Sequence, residues 1–288
     1  MARRKLTELN LLDDFLIAVL ISHPVIGEAF SREILRIIFK REFGALKIVP
    51  QKVYPGRDTD LHGARLDVYL EENLTDIELL EEDISEIEIP DEGTIIDLEP
   101  NQTDDKKTVK ALPKRVRFYH AKIDTKALDS GERYQALKNV VVVMFTPFDP
   151  FGYGLMKYTI RNGIAELPDA KYENGAQTLF FHTSGTICNV DEEIKQLLRY
   201  MEYSVEENAA TEALKRIHKM VETVKHDEEV SLQYMKAIER RDMWINKGKE
   251  LERANTERER QRADSAEQTV NKMEKELEYW KNLALGIS

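Results

Sequence analysis

Apolar side chains recur every three to four residues from Leu6 to Phe43, with a break at His23-Pro24. This spacing predicts two helices, because residues three and four apart share a helix face and a proline drives the residue before it out of the helical region. From Leu46 the period falls to two. Leu46 to Tyr54 and Ala64 to Leu70 read as strands bounded by the turn-rich Pro55-Gly56-Arg57-Asp58 and His62-Gly63, and Thr94 to Leu98 reads as a third. Pro113 suits the first turn of a helix reaching about Leu128, with Val116, Tyr119, Ile123 and Ala127 on an apolar stripe and Arg115, Lys122 and Lys126 on a basic one. Asn139 to Phe145 is a nearly continuous Val/Met/Phe run, the pattern of a central strand covered on both faces. Met156 to Arg161 and Thr178 to His182 predict two more strands, and Asp191 to Glu202 a helix. The pattern is that of an α/β protein.

Beyond Pro168 there is no proline, and after Gly185 the only glycines are Gly248 and Gly286. The last eighty or so residues mix Glu, Arg and Lys densely, which predicts long exposed helices over 203–288 as an extension of a domain spanning 1–202. Val270, Met273, Leu277, Trp280 and Ala284 follow 3-4-3-4 spacing, a short coiled-coil seam of two heptads that suits a homodimer or docking on a partner helix, the alternative being a frayed tail.

Charge changes the picture. The net charge of −11 argues against a polyanionic partner only if it is evenly spread, and it is not. Residues 71–105 hold fifteen acids and no Lys or Arg, so the remainder of the chain is net positive. Directly afterwards come Lys106, Lys107, Lys110, Lys114, Arg115 and Arg117, with no acid among them. The acidic insert, about residues 73–92, is either a polyanion that screens this basic surface or a solvated loop with no role. The single Cys188 cannot form an intramolecular disulfide, and no clustered Cys/His pattern suggests zinc. The apolar run Phe15 to Ile21 follows Asp13 and Asp14 and is too short for a signal peptide or a membrane span, so the expected location is the cytoplasm, away from membranes.

No GxxxxGK[ST], GxSxG or HExxH motif occurs, and His182 and Cys188 fit no standard dyad spacing. What stands out is Arg65-Leu66-Asp67-Val68-Tyr69 on one strand, Ile95-Ile96-Asp97-Leu98-Glu99-Pro100-Asn101 on the next, and then a basic helix. Asp67 and Glu99 on neighbouring strands bring two carboxylates close enough to share an ion, and hard oxygen ligands suit Mg²⁺. Such an ion lowers the pKa of bound water and offsets charge on a phosphodiester under attack, while a basic helix holds the nucleic-acid backbone without reading sequence.

These segments, together with Leu112-Pro113-Lys114-Arg115-Val116-Arg117-Phe118-Tyr119-His120, Ile123-Asp124, Ser130-Gly131-Glu132 with Tyr134, Phe148-Asp149-Pro150-Phe151 and Tyr158-Thr159, resemble the recombination-promoting nuclease/putative transposase (Rpn) group of the PD-(D/E)XK nuclease superfamily. The resemblance covers roughly residues 6–202. It implies a restriction-endonuclease-like mixed sheet flanked by helices, and Mg²⁺- or Mn²⁺-dependent cleavage of DNA linked to recombination or mobile elements. By position, Asp67 and Glu99 match the metal-binding acids, and the backbone carbonyl of Pro100 matches a further ligand. Asn101 stands where the superfamily generally has Lys and this group often Gln. It offers short neutral hydrogen bonds in place of a charge, which points to weak activity or to a nuclease fold that binds DNA without cutting it. An acid from the first helices commonly completes such sites, with Asp13, Asp14, Glu28 and Glu33 as the choices here. Lys114, Arg115, Arg117 and Lys122 are the expected phosphate contacts.

Overall fold

The computed structural model describes residues 4–50, 53–54, 64–65, 68–73, 94–102, 105–128 and 131–284. Two apolar helices open the chain, α1 (Asp14–Ser22) and α2 (Gly27–Phe39), meeting at 115°. Asp13 caps α1 by accepting the Phe15 N–H, and Gly27 starts α2 where a Cβ would lie 2.2 Å from the Ile21 carbonyl oxygen. Only glycine permits that close approach of the two helices.

Six strands form one mixed sheet: β1 (Ala45–Pro50), β4 (Val68–Asn73), β5 (Thr94–Pro100), β6 (Asn139–Thr146), β8 (Ala176–His182) and, at the edge, β7 (Lys157–Arg161). β5, β6 and β8 run parallel, while β1, β4 and β7 pair antiparallel with their neighbours. β2 (Val53–Tyr54) pairs antiparallel with β3 (Ala64–Arg65). The described parts of the expected strands Leu46–Tyr54 and Ala64–Leu70 pair with each other in one antiparallel register, and residues 51–52 and 66–67 lie outside the described residues.

The connection from β5 to β6 is a crossover through α3 (Lys106–Ala127), as a parallel pair requires. Leu112, Val116, Tyr119 and Ile123 of α3 pack on Ile95, Val140, Val142, Met144, Tyr158 and Phe180 of the sheet. The alternate residues Ile96, Leu98, Val141, Val143, Phe145, Leu179 and Phe181 point to the opposite face and are buried as well. β6 is thus the doubly covered strand its composition predicts. α3 begins two turns before Pro113, because Asp105 accepts the Lys107 and Thr108 N–H groups and sets the start there. Pro113 then sits inside the helix on its exposed side.

α4 (Glu192–Glu202) is tied to α2 by Arg36–Glu193 (2.8 Å), Lys40–Asp191 (2.9 Å) and Lys40–Glu193 (2.9 Å). α5 (Glu212–Lys225) buries Leu214, Ile217, Val221 and Val224 and packs on α1 and α2. The chain divides into compact units after Ser231, so the first unit includes α5 and extends beyond residue 202. α6 (Glu228–Ala284) is a helix of 57 residues, the long C-terminal helix that the charge-rich sequence predicts. Among the described residues no single helix is long and apolar enough to cross a membrane.

Candidate active site

The chemistry gathers on the α3 face of β5. Strand alternation puts Ile95, Asp97 and Glu99 on one face, and Ile95 belongs to the core beneath α3. Asp97 and Glu99 are fully buried, roughly 7 Å apart along the strand. Asn101 follows at 5 % exposure, and its N–H donates to the Phe145 carbonyl at 2.8 Å, carrying the ladder one step beyond the strand. Pro100 sits opposite Phe145 in the same ladder. The row lies at the C-terminal end of a parallel strand, where open α/β sheets characteristically bind ligands.

Burial of two carboxylates is costly unless charge or hydrogen bonds compensate. Arg115 meets that need for Glu99: its Nη2 donates to Glu99 Oε2 at 2.9 Å, and its Nε donates to the Tyr119 hydroxyl at 2.6 Å. The guanidinium also lies 5.2 Å from the centre of the Tyr119 ring. Burial, and next the Glu99 charge, push the Tyr119 phenol well above its usual range against the opposing pull of Arg115, so it stays protonated. The expected phosphate contact Arg115 is therefore turned inward onto a site carboxylate.

The other cations of α3 face outward. Lys107, Lys110, Lys114 and Arg117 are exposed and spaced three, four and three residues apart, a stripe about 15 Å long on one side of the helix. Lys122 lies over the Phe118 ring, 5.4 Å from its centre. The first acid in α3 is Asp124, beyond the stripe.

Asp67 lies outside the described residues, as does the acidic insert of about residues 73–92 beyond Asn73. Its neighbour Val68 opens β4 opposite Leu98, one residue from Glu99. Three of the helix acids are held elsewhere: Asp13 pairs with Arg4 (2.8 Å), Glu28 with Arg32 (2.7 Å), and Glu33 with Arg216 (2.6 Å) and Arg36 (3.6 Å). Gln102 points the other way, with its Nε2 3.5 Å from Asn10 Oδ1.

Sequence reasoning did not single out Asp97, although its place two residues before Glu99 is a sufficient signal that both share a face. It also missed Thr146 and His182, Cα partners at the ends of β6 and β8 on that same face. Thr146 Oγ1 and His182 Nδ1 are buried and have no hydrogen-bond partner among the described residues. Both come into the neighbourhood only through strand pairing, so nothing local announces them. Among the described residues no three His, Cys, Asp or Glu side chains gather as a metal site. Asp97 and Glu99 supply two carboxylates of the kind a hard divalent ion takes, and that donor set fits Mg²⁺ or Mn²⁺. A cavity of about 1010 Å³ opens at the other end of the parallel strands, around Asn139, Arg161 and Gln177, away from this row.

Searches of protein-family models, curated proteins and solved structures find no match to this chain.

Proposed function

We propose that the protein is a divalent-metal-dependent DNA endonuclease of the PD-(D/E)XK type, tied to recombination or mobile elements. The observation that carries this reading is the buried row Asp97–Glu99–Asn101 ending beneath a helix whose outer side is a stripe of four cations. Asp67 and Glu99 would hold the ion, with Asp97 beside them and the Pro100 carbonyl as a further oxygen. When bound, the metal supplies Lewis acidity and a water that ionises near neutral pH. The chain's own residues do the rest. Lys107, Lys110, Lys114 and Arg117 bind backbone phosphates. Arg115 neutralises Glu99 and, by bonding Tyr119 as well, fixes where that carboxylate points. Asn101 offers an amide to orient water or a phosphate oxygen without adding charge.

Asn101 also favours a second reading, a nuclease fold that binds DNA and does not cut it, since a neutral amide cannot offset phosphate charge as Lys does. One experiment separates the two. Plasmid and single-stranded DNA are incubated with Mg²⁺ or Mn²⁺ and wild type, Asp67→Ala, Glu99→Gln or Lys114→Glu/Arg117→Glu protein. Metal-dependent cutting lost in the first two variants, with DNA affinity lost in the third, supports the endonuclease. Binding without cutting by folded wild type supports the second reading, and cutting that survives Asp67→Ala and Glu99→Gln refutes this site.

A further inference from the structure

Every residue from Leu251 to Asn282 is exposed among the described residues. A helix in water with no partner is normally polar all round. Here Val270, Met273, Leu277 and Trp280 are 52–64 % exposed and fall on one line, extended by Ala266 before them and Ala284 after. The repeat is 3-4-3-4, a period of 3.5, which keeps its seam facing a partner only when two helices wind around each other with a left-handed supercoil.

The charges beside the seam indicate which partner. With Val270 at heptad position a, the flanking g positions hold Arg262, Thr269, Glu276 and Leu283 and the e positions Glu267, Glu274 and Lys281. In a parallel, in-register pair, each g residue meets the e residue five places on in the other helix. That sets Arg262 against Glu267 and Glu276 against Lys281, each pair twice by symmetry, while Thr269 against Glu274 is a neutral pairing. Antiparallel alignments that bury all four large seam residues instead put Glu267 against Glu274, or Glu274 and Glu276 against their own copies. Like charges in those positions are repulsive. Arg262 Nη1 lies 2.7 Å from Glu259 within its own helix, whereas no ion pair within the chain among the described residues engages Glu276 or Lys281.

We infer that residues 262–284 are a self-association surface, a parallel in-register coiled coil about 34 Å long formed with a second copy of this chain. The two d positions at Met273 face each other in that pairing, whereas Lys275, at f, lies on the outer side of both helices.

The test uses the full chain carrying Cys188→Ser, because Cys188 is exposed and would cross-link by itself. Under mild oxidation Met273→Cys gives a disulfide-linked dimer, since d residues of parallel helices approach within bridging distance, and Lys275→Cys does not, with a rate difference of at least roughly tenfold. In sedimentation velocity Glu276→Lys weakens the dimer several-fold and Glu276→Lys/Lys281→Glu restores it. Far-UV circular dichroism checks that α6 stays helical throughout. A wild-type chain monomeric at every concentration overturns the inference. So does equal cross-linking at 273 and 275, or faster cross-linking of a Val270→Cys chain to a Met273→Cys chain than of either to itself, the mark of antiparallel pairing.

Discussion

The ion pair beneath α3 sets a measurable energy. Glu99 is fully buried and Arg115 donates to it at 2.9 Å, with the Arg115 side chain 37 % exposed. Removing one member of a fully buried pair costs about 3–5 kcal/mol, because the other charge is left in the interior. Water reaches the outer side of Arg115, so Arg115→Met is expected to cost less, about 2–3 kcal/mol. Glu99→Gln keeps a carbonyl oxygen for Arg115 and removes the buried charge, and should cost about 1–2 kcal/mol. Once Glu99 is neutral, loss of Arg115 strands no anion, so the double variant should be more stable than the sum of the singles predicts by about 1–2 kcal/mol. For a unit of this size Arg115→Met alone lowers Tm by roughly 4–12 °C. Both tryptophans, Trp244 and Trp280, lie on α6 beyond Ser231, so indole fluorescence does not report on the first unit. Calorimetry or urea unfolding followed by tyrosine near-UV circular dichroism does. Additivity of the two substitutions within about 0.5 kcal/mol would refute the coupling read from the geometry.

Two other expectations concern the core. Gly27→Ala forces a Cβ against the Ile21 carbonyl and should destabilise the first unit by about 2 kcal/mol or more, whereas Gly248→Ala in α6, with nothing within 4 Å, should be neutral or raise helicity; equal effects in thermal melts would show that the α1–α2 approach is not as close as described. His120 is held down to about 4 by burial, with its ring nitrogen Nε2 3.0 Å from the Thr178 hydroxyl. Its folded pKa lies below the unfolded value, so the unfolded chain binds more protons between the two. This contribution is complete above about pH 6.5 and falls away as the pH drops toward 4, by up to about 3 kcal/mol. Urea unfolding at pH 7 and at pH 4.5 should show the loss, and His120→Gln should flatten it; the same pH slope in that variant would assign the effect to another group.

Much of the site is written locally. A strand alternates faces whatever it pairs with, so Asp97, Glu99 and Asn101 had to share one side, and a helix repeats every 3.6 residues, so Lys107, Lys110, Lys114 and Arg117 had to form a stripe. What escaped the sequence is non-local. His182 and Thr146 meet because β6 and β8 pair in parallel, and Arg115 looks like one more cation of the basic helix until its face of α3 comes down on β5.

The sequence by itself determined the α/β class, the nearly complete order of helices and strands, the doubly covered β6 and the heptad seam of α6, because periods of 2, 3.5 and 3.6 belong to the backbone and need no partner to be read. Tertiary structure decided the strand order β1-β4-β5-β6-β8-β7, the inward turn of Arg115 onto Glu99, the burial of His120 against a residue 58 positions away, and the extension of the first compact unit to Ser231. Those outcomes depend on which apolar faces find each other. α5 carries the same mixture of charges as the helix that follows it, and only the fit of Leu214, Ile217, Val221 and Val224 into the core beside α1 and α2 separates a packed helix from an exposed one.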